Sequence, residues 1–386
     1  MKRKICVVLT TRGNYAKMKS TMAAVKKHPS LELQVVLAGG IVQQAFGDYG
    51  PILVKDGFAV DQSVDFLVGE GGTLDTMTES AGRAVSLLGA SLLQLRPDCV
   101  MVIADRYEAL SLALAATCCN TVIAHHEGGE VSGSIDERLR HAITKLAQIH
   151  LPANADAANR LEAMGEHPDT IHVVGTPGLD LLADLDLQDR GRLFAFQENA
   201  GEGDRIDFNR PYVAVSQHPV VMEAADAESQ ILETAQAVAA AELPIVWMLP
   251  NMDAGRSGVL RAIEQVRSRS GKMPIRFFQS MPFEEYATLL NNAFCLVGNS
   301  SSGIRESAFL GVPVVNLGSR QQGRQRGRNV IDVPDFEANR IADAVQRQIR
   351  HGRYASDPLY GDGKSGTRIA QILATAPLVL DKRPRF

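Results

Sequence analysis

Three consecutive serines stand in the run Gly298-Asn-Ser-Ser-Ser-Gly303, which follows an apolar segment at residues 295–297 and precedes a predicted helix beginning near Ile304. Small residues let the backbone approach a ligand closely, and the first turn of a helix presents unpaired N–H donors to an anion. Ser301 and Ser302 add hydroxyl donors to this turn. The pattern favours phosphate binding, and an ordinary serine N-cap is the alternative that the sequence leaves open.

An arginine follows the next predicted strand, residues 314–317, and Arg320 is the one closest to the strand end. A guanidinium binds phosphate oxygens through two parallel hydrogen bonds. We therefore predict that Arg320 contacts a phosphate. The chain has no G-x-x-x-x-G-K-[ST] loop and no G-x-G-x-x-G after its first strand, so neither ATP nor a nicotinamide cofactor is expected.

Carboxylates follow two other predicted strands. Asp105 comes directly after residues 100–104. Glu127 comes shortly after residues 121–124, and the next helix opens at Asp136. Taken singly, Asp105 and Asp136 are explained most simply as turn or N-cap residues. Gathered in one crevice, the three acids would repel one another, and this repulsion would separate an acid role from a base role.

A histidine, His218, follows the predicted strand at residues 212–215, at the start of the second half of the chain. An imidazole titrates near neutrality and can protonate or neutralise a departing oxyanion. A histidine before a proline is usually structural, but we expect His218 to lie opposite the acids, which makes it a candidate catalytic residue. The first predicted strand, residues 5–10, leads into Arg12 and Lys17, which flank the start of a helix.

Short β-branched runs alternate with helical periods along the chain, which is the pattern of βαβ units around a mainly parallel sheet. Residues 171–174 are predicted as the last strand of the first half. A polar segment at residues 184–210 then interrupts the alternation, and we predict that it connects two domains. The predicted fold class is α/β, with Rossmann-like domains at residues 1–187 and 188–363. The expected site is the cleft between them, beyond the carboxyl ends of the strands.

The composition argues against several classes of protein. With 40 Lys and Arg against 44 Asp and Glu, the net charge of −4 is too even for binding nucleic acid through its phosphates. No apolar run reaches the roughly 18 residues that a membrane helix needs. The five cysteines form no C-x-x-C pair, and the nine histidines fit no zinc spacing. We therefore predict a cytoplasmic protein that uses no metal and no other cofactor.

Eight motifs follow one another along nearly the whole chain. They are Arg12-Gly-Asn-Tyr-Ala-Lys17, Asp105-Arg-Tyr-Glu108, His126-Glu-Gly-Gly-Glu-Val-Ser-Gly-Ser-Ile-Asp136, Arg140-His-Ala-Ile-Thr-Lys145, Gln217-His-Pro219, Gly298-Asn-Ser-Ser-Ser-Gly-Ile-Arg-Glu306, Asn316-Leu-Gly-Ser-Arg320 and Tyr360-Gly-Asp-Gly363. In this order they resemble the motifs of the hydrolysing UDP-N-acetylglucosamine 2-epimerases of sialic-acid biosynthesis, including the epimerase half of the animal bifunctional epimerase/kinase.

This resemblance implies the two-domain GT-B fold, with a C-terminal helix at residues 364–380 that packs back on the first domain. It implies catalytic roles for Asp105, Glu127, Asp136 and His218. It implies contacts with the uridine diphosphate (UDP) of a UDP-sugar at Ser301, Ser302, Gly303, Glu306 and Arg320. It places Arg12, Lys17 and Arg106 in the lining of the cleft. The family also implies a homodimer or a homotetramer.

The reaction implied by the resemblance converts UDP-N-acetylglucosamine and water to N-acetylmannosamine and UDP. Anti elimination of UDP first gives 2-acetamidoglucal, and addition of water completes the reaction. Several alternatives remain open: the same reaction on UDP-2,4-diacetamido-2,4,6-trideoxyglucose, a GT-B glycosyltransferase, a non-hydrolysing epimerase, and a UDP-sugar sensor without catalysis. A glycosyltransferase offers no reason for three acids in the opposite domain.

Overall fold

The computed structural model describes residues 2–43, 49–69, 74–103, 105–131, 135–250, 256–268 and 273–383. The chain forms two units, of which the first comprises Met1–Ala183 with Gly361–Phe386 and the second comprises Asp184–Tyr360. Each unit has its own mainly parallel sheet with hydrophobic clusters on both faces. Within the described ranges, no helix has both the length and the apolar character needed to cross a membrane.

The first unit is built on a six-stranded sheet, formed in the described part of the chain by β1 Arg3–Leu9, β2 Leu31–Ala38, β3 Gln62–Val64, β4 Cys99–Ile103, β5 Val122–His126 and β6 Ile149–Leu151. The strands are hydrogen-bonded in the order β3-β2-β1-β4-β5-β6, and every neighbouring pair is parallel. The chain winds outward from β1 to β3 and then in the opposite direction from β4 to β6. This order opens a crevice beyond the carboxyl ends of β1 and β4.

Helices cover this sheet, and the described ones before the second unit are α1 Arg12–Lys27, α2 Gly50–Lys55, α3 Leu74–Leu95, α4 Tyr107–Cys118, α5 Ile135–Leu146, α6 Ala155–Ala163 and α7 Gly178–Ala183. Successive side chains of a strand point to opposite faces of the sheet. Val7 of β1 therefore packs in the cluster that contains α1, and Val8 packs in the cluster that contains α3 and α4.

A capping box sets the start of helix α1. Thr11 is its N-cap and forms a capping box with Asn14, whose side-chain oxygen accepts the Thr11 N–H at 3.1 Å. Met18, Met22 and Val25 are fully buried and form the apolar face of this helix. The capping box thus fixes the turn that joins β1 to α1 at the carboxyl edge of the sheet.

The second unit is built on a seven-stranded sheet, formed in the described residues by β7 Glu202–Gly203, β8 Val213–Ser216, β9 Ile245–Met248, β10 Ile275–Phe278, β11 Cys295–Gly298, β12 Val314–Leu317 and β13 Val330–Val333. The order is β13-β12-β11-β8-β9-β10-β7, and β7 pairs antiparallel with β10 at one edge. The chain winds one way from β8 and the other way from β11. The crevice of this sheet therefore lies beyond the carboxyl ends of β8 and β11.

The described helices of the second unit are α8 Gly191–Asn199, α9 Ala227–Ala239, α10 Arg256–Ser268, α11 Phe283–Asn292, α12 Glu306–Leu310 and α13 Ala338–His351. The chain then returns to the first unit as helix α14, Ser365–Thr375. Helix α14 packs against α1, and its Ile369 and Leu373 are fully buried in the same cluster as α1.

The prediction that residues 184–210 are an interdomain segment is wrong. This stretch belongs to the second unit, where it forms α8 and β7. Its few apolar residues are buried: Phe208 is fully buried and packs edge-on against Phe194 and Tyr212, with ring centroids 5.5 and 5.7 Å apart. Aromatic rings bury a large area each, so a few of them anchor a segment whose average composition is polar.

Residues 171–174 do not form the predicted strand. Ile171 makes a single parallel bridge to His150 of β6, and no described neighbour extends the ladder. His172 N–H donates to the His150 carbonyl at 2.9 Å and Val174 N–H to the Pro152 carbonyl at 3.0 Å, but Pro152 has no N–H to donate in return, so no regular ladder forms.

The C-terminal helix is shorter than the predicted residues 364–380. It ends at Thr375, and Ala376 is extended with φ −59° and ψ 141°. The next residue is Pro377, whose ring disfavours the helical conformation of the residue before it.

One buried carboxylate joins α14 to the rest of the first unit. Asp180 of α7 accepts the N–H groups of Ser365 and Gly366 at 2.9 and 2.7 Å, and also the hydroxyl of Ser20 of α1 at 3.0 Å. A Cβ at Gly366 would lie 2.7 Å from the α1 backbone. Asp180 therefore caps α14 while the helices approach each other closely.

We expect Asp180→Ala to lower the free energy of unfolding of the first unit by about 2–3 kcal/mol, because it leaves buried N–H groups at the start of α14 unpaired. The single tryptophan, Trp247, lies in the second unit. The midpoint of urea unfolding measured by far-UV circular dichroism should therefore move to a lower urea concentration. The midpoint measured by tryptophan fluorescence should stay near its wild-type value.

The matched control is Asp362→Ala, which removes an exposed ion pair with Arg368 on the same stretch of chain. Exposed pairs contribute little, so both transitions of the control should stay within about 0.5 kcal/mol of wild type. Equal destabilisation by the two substitutions would contradict the capping role of Asp180.

Candidate functional site

The first group of polar residues lies beyond the carboxyl ends of β1, β4 and β5, which are neighbours in one parallel sheet. Residues that follow such strands meet at a single edge. Two acids directly follow β4 and β5, a third lies in the first turn of α5, and their basic partners come from the same edge. This acid cluster consists of Lys17, Asp105, Arg106, Glu127, Asp136 and Arg140.

A buried guanidinium holds Asp105. Arg140 is 1% exposed, and one of its terminal nitrogens bonds to the Asp105 carboxylate. Its other terminal nitrogen donates to the carbonyl oxygen of Glu130 at 2.6 Å. A buried charge is costly unless it is paired and hydrogen-bonded. Arg140 therefore fixes both the direction of the Asp105 carboxylate and the loop that contains Glu130.

Glu127 is 3% exposed, and its Oε2 accepts a hydrogen bond from Lys17 Nζ at 2.7 Å. Its backbone is left-handed, with φ 68°, which is uncommon for a residue other than glycine. Gly129 is left-handed as well, and a Cβ there would lie 2.2 Å from the carbonyl oxygen of Ala157. This tight turn after β5 directs the Glu127 side chain toward α1.

The third acid, Asp136, helps to raise the pKa of Arg106. The Arg106 Nη2 bonds to the buried carboxylate of Glu108 at 3.0 Å. Desolvation opposes the charge of Arg106, but the carboxylates of Glu108 and Asp136 outweigh it and raise the pKa of the guanidinium. Asp136 is thus in electrostatic range of a fixed cation at the end of β4.

Each of the three acids has a cation as a partner or nearby: Lys17 for Glu127, Arg140 for Asp105 and Arg106 for Asp136. Arg140 was quoted above only as the first residue of a motif, and no role in the site was predicted for it. It lies four residues after Asp136 on α5 and therefore on the same helix face, and this spacing was the available signal.

Two other predictions concern this unit. Arg12 begins α1, and its side chain lies outside the described residues, so its place in a cleft stays a prediction. In the described part of the chain, no three His, Cys, Asp or Glu side chains gather as metal ligands would.

The second group lies beyond the carboxyl ends of β8, β11 and β12, which are neighbours in the other sheet. Asn299 ties these strand ends together, and it is 1% exposed. Its Oδ1 accepts the N–H of His218 at 2.7 Å, and its Nδ2 donates to the His218 carbonyl at 2.8 Å. Its own carbonyl accepts Arg320 Nη1 at 3.0 Å. This anion cluster consists of His218, Asn299, Ser300, Ser301, Ser302 and Arg320.

His218 is uncharged at neutral pH. Burial, and then the charge of Arg320, lowers the pKa of His218 to about 4. Its Nδ1 is buried without a hydrogen-bond partner among the described residues. An anion bound beside this ring would favour the charged form, so His218 is suited to take up a proton when an anion binds.

The serine turn differs from the predicted helix start. Ser301–Gly303 is a 3-10 turn, and α12 begins only at Glu306. The N–H groups of Gly303 and Ile304 donate to the carbonyls three residues before them, at 3.1 and 3.0 Å. The prediction of unpaired N–H donors at this position is therefore wrong for these two residues, and the hydroxyl groups are the donors that the turn offers.

The hydroxyl of Ser302 lies in a small network. Its Oγ is 3.0 Å from Ser300 Oγ and 2.6 Å from the hydroxyl of Tyr286 on α11. Gly303 is buried, and a Cβ there would lie 3.1 Å from the Val314 side chain, so this glycine packs the turn onto β12. No sequence pattern marked Tyr286 as a site residue, because an aromatic residue in an amphipathic helix is typical of a core position.

Two further predicted contacts are partly buried. Ser301 lies at the start of the 3-10 turn, and Glu306 lies in the first turn of α12. Burial, together with the negative charge of Glu306, raises the pKa of Tyr286. Glu306 is therefore close to the hydroxyl network although it is not a donor to an anion.

The architecture places the chain among two-domain α/β proteins of the GT-B type, and the predicted fold class is confirmed. A crystal structure of UDP-GlcNAc 2-epimerase from Neisseria meningitidis bound to UDP-GlcNAc has a TM-score of 0.76 to this chain at 16% identity, covering 96% of this chain and 99% of that one. At this identity the likeness concerns the fold.

Sequence comparison defines the family. The family model described as UDP-N-acetylglucosamine 2-epimerase matches residues 23–374. A UDP-N-acetylglucosamine 2-epimerase of Neisseria meningitidis serogroup B is 31% identical over 376 residues, which are 97% of this chain and 95% of the relative. A UDP-N,N'-diacetylbacillosamine 2-epimerase (hydrolyzing) of Legionella pneumophila is 31% identical over 378 residues, 98% and 97% of the two chains. The chain belongs to the UDP-N-acetylglucosamine 2-epimerase family.

We expect Arg320→Gln to raise the pKa of His218, because it removes the nearby positive charge, and burial to keep that pKa below the usual histidine value. An NMR titration of the imidazole signals, assigned with His218→Gln, measures this shift. Arg326→Gln is the control, since Arg326 pairs with Asp332. An unchanged or lower pKa in Arg320→Gln would contradict the electrostatic link.

Proposed function

We propose that this protein is a hydrolysing 2-epimerase, which converts UDP-N-acetylglucosamine and water to N-acetylmannosamine and UDP for the synthesis of sialic-acid-type sugars. The observation that carries the proposal is the division of functional groups between two strand edges, with paired carboxylates in one unit and hydroxyl, imidazole and guanidinium groups in the other. Breaking the bond between C1 and the diphosphate places positive charge on the ring and negative charge on UDP. The reaction therefore needs both kinds of group.

In the first step a carboxylate of the acid cluster removes the proton from C2. The C–H electrons form the C1=C2 double bond of 2-acetamidoglucal, and the electrons of the C1–O bond leave with UDP. Asp105, Glu127 and Asp136 are the proposed bases. Arg140 and Lys17 orient two of these carboxylates through charge-assisted hydrogen bonds.

The departing diphosphate is the proposed ligand of the anion cluster. Its charge would favour the protonated form of His218, which then neutralises or protonates the leaving oxygen. Arg320 and Ser302 would donate hydrogen bonds to the phosphates. The roles of Ser301, Gly303, Glu306, Arg12, Lys17 and Arg106 in binding UDP stay predictions.

Water then adds across the double bond, with its hydroxyl group going to C1 and a proton to C2. Inversion at C2 requires the proton to leave from one face of the ring and arrive on the other. For a sugar that stays in place, two different groups must transfer these protons, which fits a site with more than one acid.

A second candidate substrate is UDP-N,N'-diacetylbacillosamine, which is UDP-2,4-diacetamido-2,4,6-trideoxyglucose. The specific observation in its favour is the Legionella pneumophila relative, whose 31% identity equals that of the Neisseria meningitidis relative. The two substrates differ at C4 and C6, so the chemistry at C1 and C2 is the same. The ratio of kcat/KM for the two UDP-sugars decides between them.

We also propose that the reaction takes place in the cytoplasm and that the protein is a homodimer or homotetramer. All five cysteines are free thiols, which suits a reducing compartment. Burial raises the pKa of Cys99 and of Cys295 to about 12, so these thiols stay protonated and unreactive. Light scattering of the purified protein measures the number of subunits.

The proposal is tested by incubating the purified protein with UDP-N-acetylglucosamine in deuterated water. We expect free UDP and N-acetylmannosamine with deuterium at C2, detected by NMR and mass spectrometry. A product that keeps its nucleotide would identify a non-hydrolysing epimerase. Release of UDP only when an acceptor sugar is added would identify a glycosyltransferase, and binding without any product would identify a sensor.

We expect Asp105→Asn and Glu127→Gln each to lower turnover by about two to four orders of magnitude, the usual size of a general acid–base contribution. A variant that lacks the C2 base should release no UDP. A variant that lacks the group serving the hydration step should release UDP and accumulate 2-acetamidoglucal. Separate assays of UDP and of the glycal therefore assign the two roles.

The control is Asp169→Asn, whose carboxylate is 90% exposed in the same unit and should leave turnover unchanged. Arg140 is buried and loses its charged partner in Asp105→Asn, so circular dichroism must show that the variant is folded. Near-normal turnover in a folded Asp105→Asn or Glu127→Gln would show that the substituted acid is not catalytic.

A further inference from the structure

Tyr286 of α11 is bonded to the serine turn of the anion cluster. Its hydroxyl oxygen is 2.6 Å from Ser302 Oγ, and Ser302 Oγ is 3.0 Å from Ser300 Oγ. Ser302 is 7% exposed. The hydroxyl of Ser302 therefore has two fixed hydroxyl neighbours on the protein side, and its remaining direction points away from both of them.

The direction of these hydrogen bonds decides what Ser302 can do. A hydroxyl group has one hydrogen to donate and two lone pairs that accept. If Ser302 donated to Tyr286, its single hydrogen would be used inside the protein. If Tyr286 and Ser300 both donate to Ser302, the serine hydrogen is available for a ligand.

The acidity of the two groups favours donation by Tyr286. A phenol is a more acidic hydroxyl than an aliphatic alcohol, so it is the stronger donor of the pair. Burial raises the pKa of Tyr286, so the phenol keeps its hydrogen at neutral pH. A hydrogen bond received by Ser302 polarises its own O–H and strengthens the bond that it donates in turn.

The hydrogen of Ser302 matters because backbone donors are scarce in this turn. The N–H groups of Gly303, Ile304 and Arg305 all donate to carbonyls of the same turn, at 3.0 to 3.1 Å. The N–H of Ser302 is directed to Ser300 Oγ at 3.4 Å. The backbone N–H groups from Ser302 to Arg305 thus all have partners within the turn, so the orientation of each hydroxyl hydrogen affects the binding of an anion here.

We propose that Tyr286 is a positioning residue for a nucleoside diphosphate: its hydroxyl donates to Ser302 and directs the Ser302 hydrogen to a phosphate oxygen. This inference rests on the proposed function, because it takes UDP as the ligand of the anion cluster. It adds a specific contribution from α11, a helix that carries none of the residues assigned from the sequence.

The test is a double-mutant cycle measured by isothermal titration with UDP. Tyr286→Phe removes one hydroxyl and keeps the ring, and it should weaken UDP binding about five- to tenfold, the size of one hydrogen bond. Ser302→Ala should weaken binding at least as much. Because Tyr286 acts through Ser302, the double variant should bind UDP as Ser302→Ala does.

A matched control and a second ligand separate positioning from general damage. Tyr354→Phe removes a hydroxyl that donates to Gln348 Oε1 at 2.8 Å in the same unit, and it should leave UDP affinity unchanged. Uridine has no phosphate, so its affinity, measured by ligand-observed NMR, should be equal in wild type and Tyr286→Phe.

A converse variant covers the case in which Tyr286→Phe does not fold. Tyr286→3-fluorotyrosine keeps the ring and the hydroxyl but makes the phenol a stronger donor, and it should tighten UDP binding. Wild-type affinity for UDP in Tyr286→Phe, additive losses in the double variant, or a parallel loss of uridine affinity would overturn the inference. Failure of the wild-type protein to bind UDP would instead overturn the proposed function, and this inference with it.

Discussion

The strand order of the two sheets is the constraint on which the rest of the structure depends. In each sheet the chain leaves two adjacent central strands in opposite directions, β1 and β4 in one unit and β8 and β11 in the other. The helices that follow diverge, so the carboxyl ends of these strands border an open crevice. Every residue of the acid cluster and of the anion cluster follows one of these central strands or a strand beside them. The strand order of each sheet therefore brings the members of its own cluster together.

Burying polar groups at these edges costs desolvation free energy, and hydrogen bonds and ion pairs with neighbouring residues offset it. Arg140 is enclosed and bonds to Asp105, and the nearly buried Glu127 bonds to Lys17. In the second unit a neutral amide, Asn299, holds the backbone of His218 with two hydrogen bonds. Groups held in this way are oriented before a ligand arrives, which is how an enzyme avoids reorganising its site during the reaction.

Much of the fold was predictable because hydrophobic periodicity is a local signal: the strand at 314–317 has the predicted bounds, and those predicted at 212–215 and 295–297 match β8 and β11 to within one residue. Residues 184–210 were mispredicted because a few aromatic rings anchor a polar segment, which average composition does not reveal. The positions of the candidate acids followed from strand ends. Their partners did not, since the contacts of Arg140 with Asp105 and of Tyr286 with Ser302 join residues far apart in the chain, and no local pattern encodes them.

The central proposal is that the anion cluster binds the diphosphate of the UDP-sugar whose C2 proton a carboxylate of the acid cluster removes. The most direct test is a crystal structure of Asp105→Asn, which is expected to turn over slowly, with UDP-N-acetylglucosamine bound. The account predicts that the diphosphate accepts hydrogen bonds from Ser302 and Arg320, while C2 of the sugar lies about 3–3.5 Å from a carboxylate of the acid cluster. A complex in which UDP occupies the anion cluster while the sugar ring lies away from Glu127, Asp136 and position 105 would contradict it.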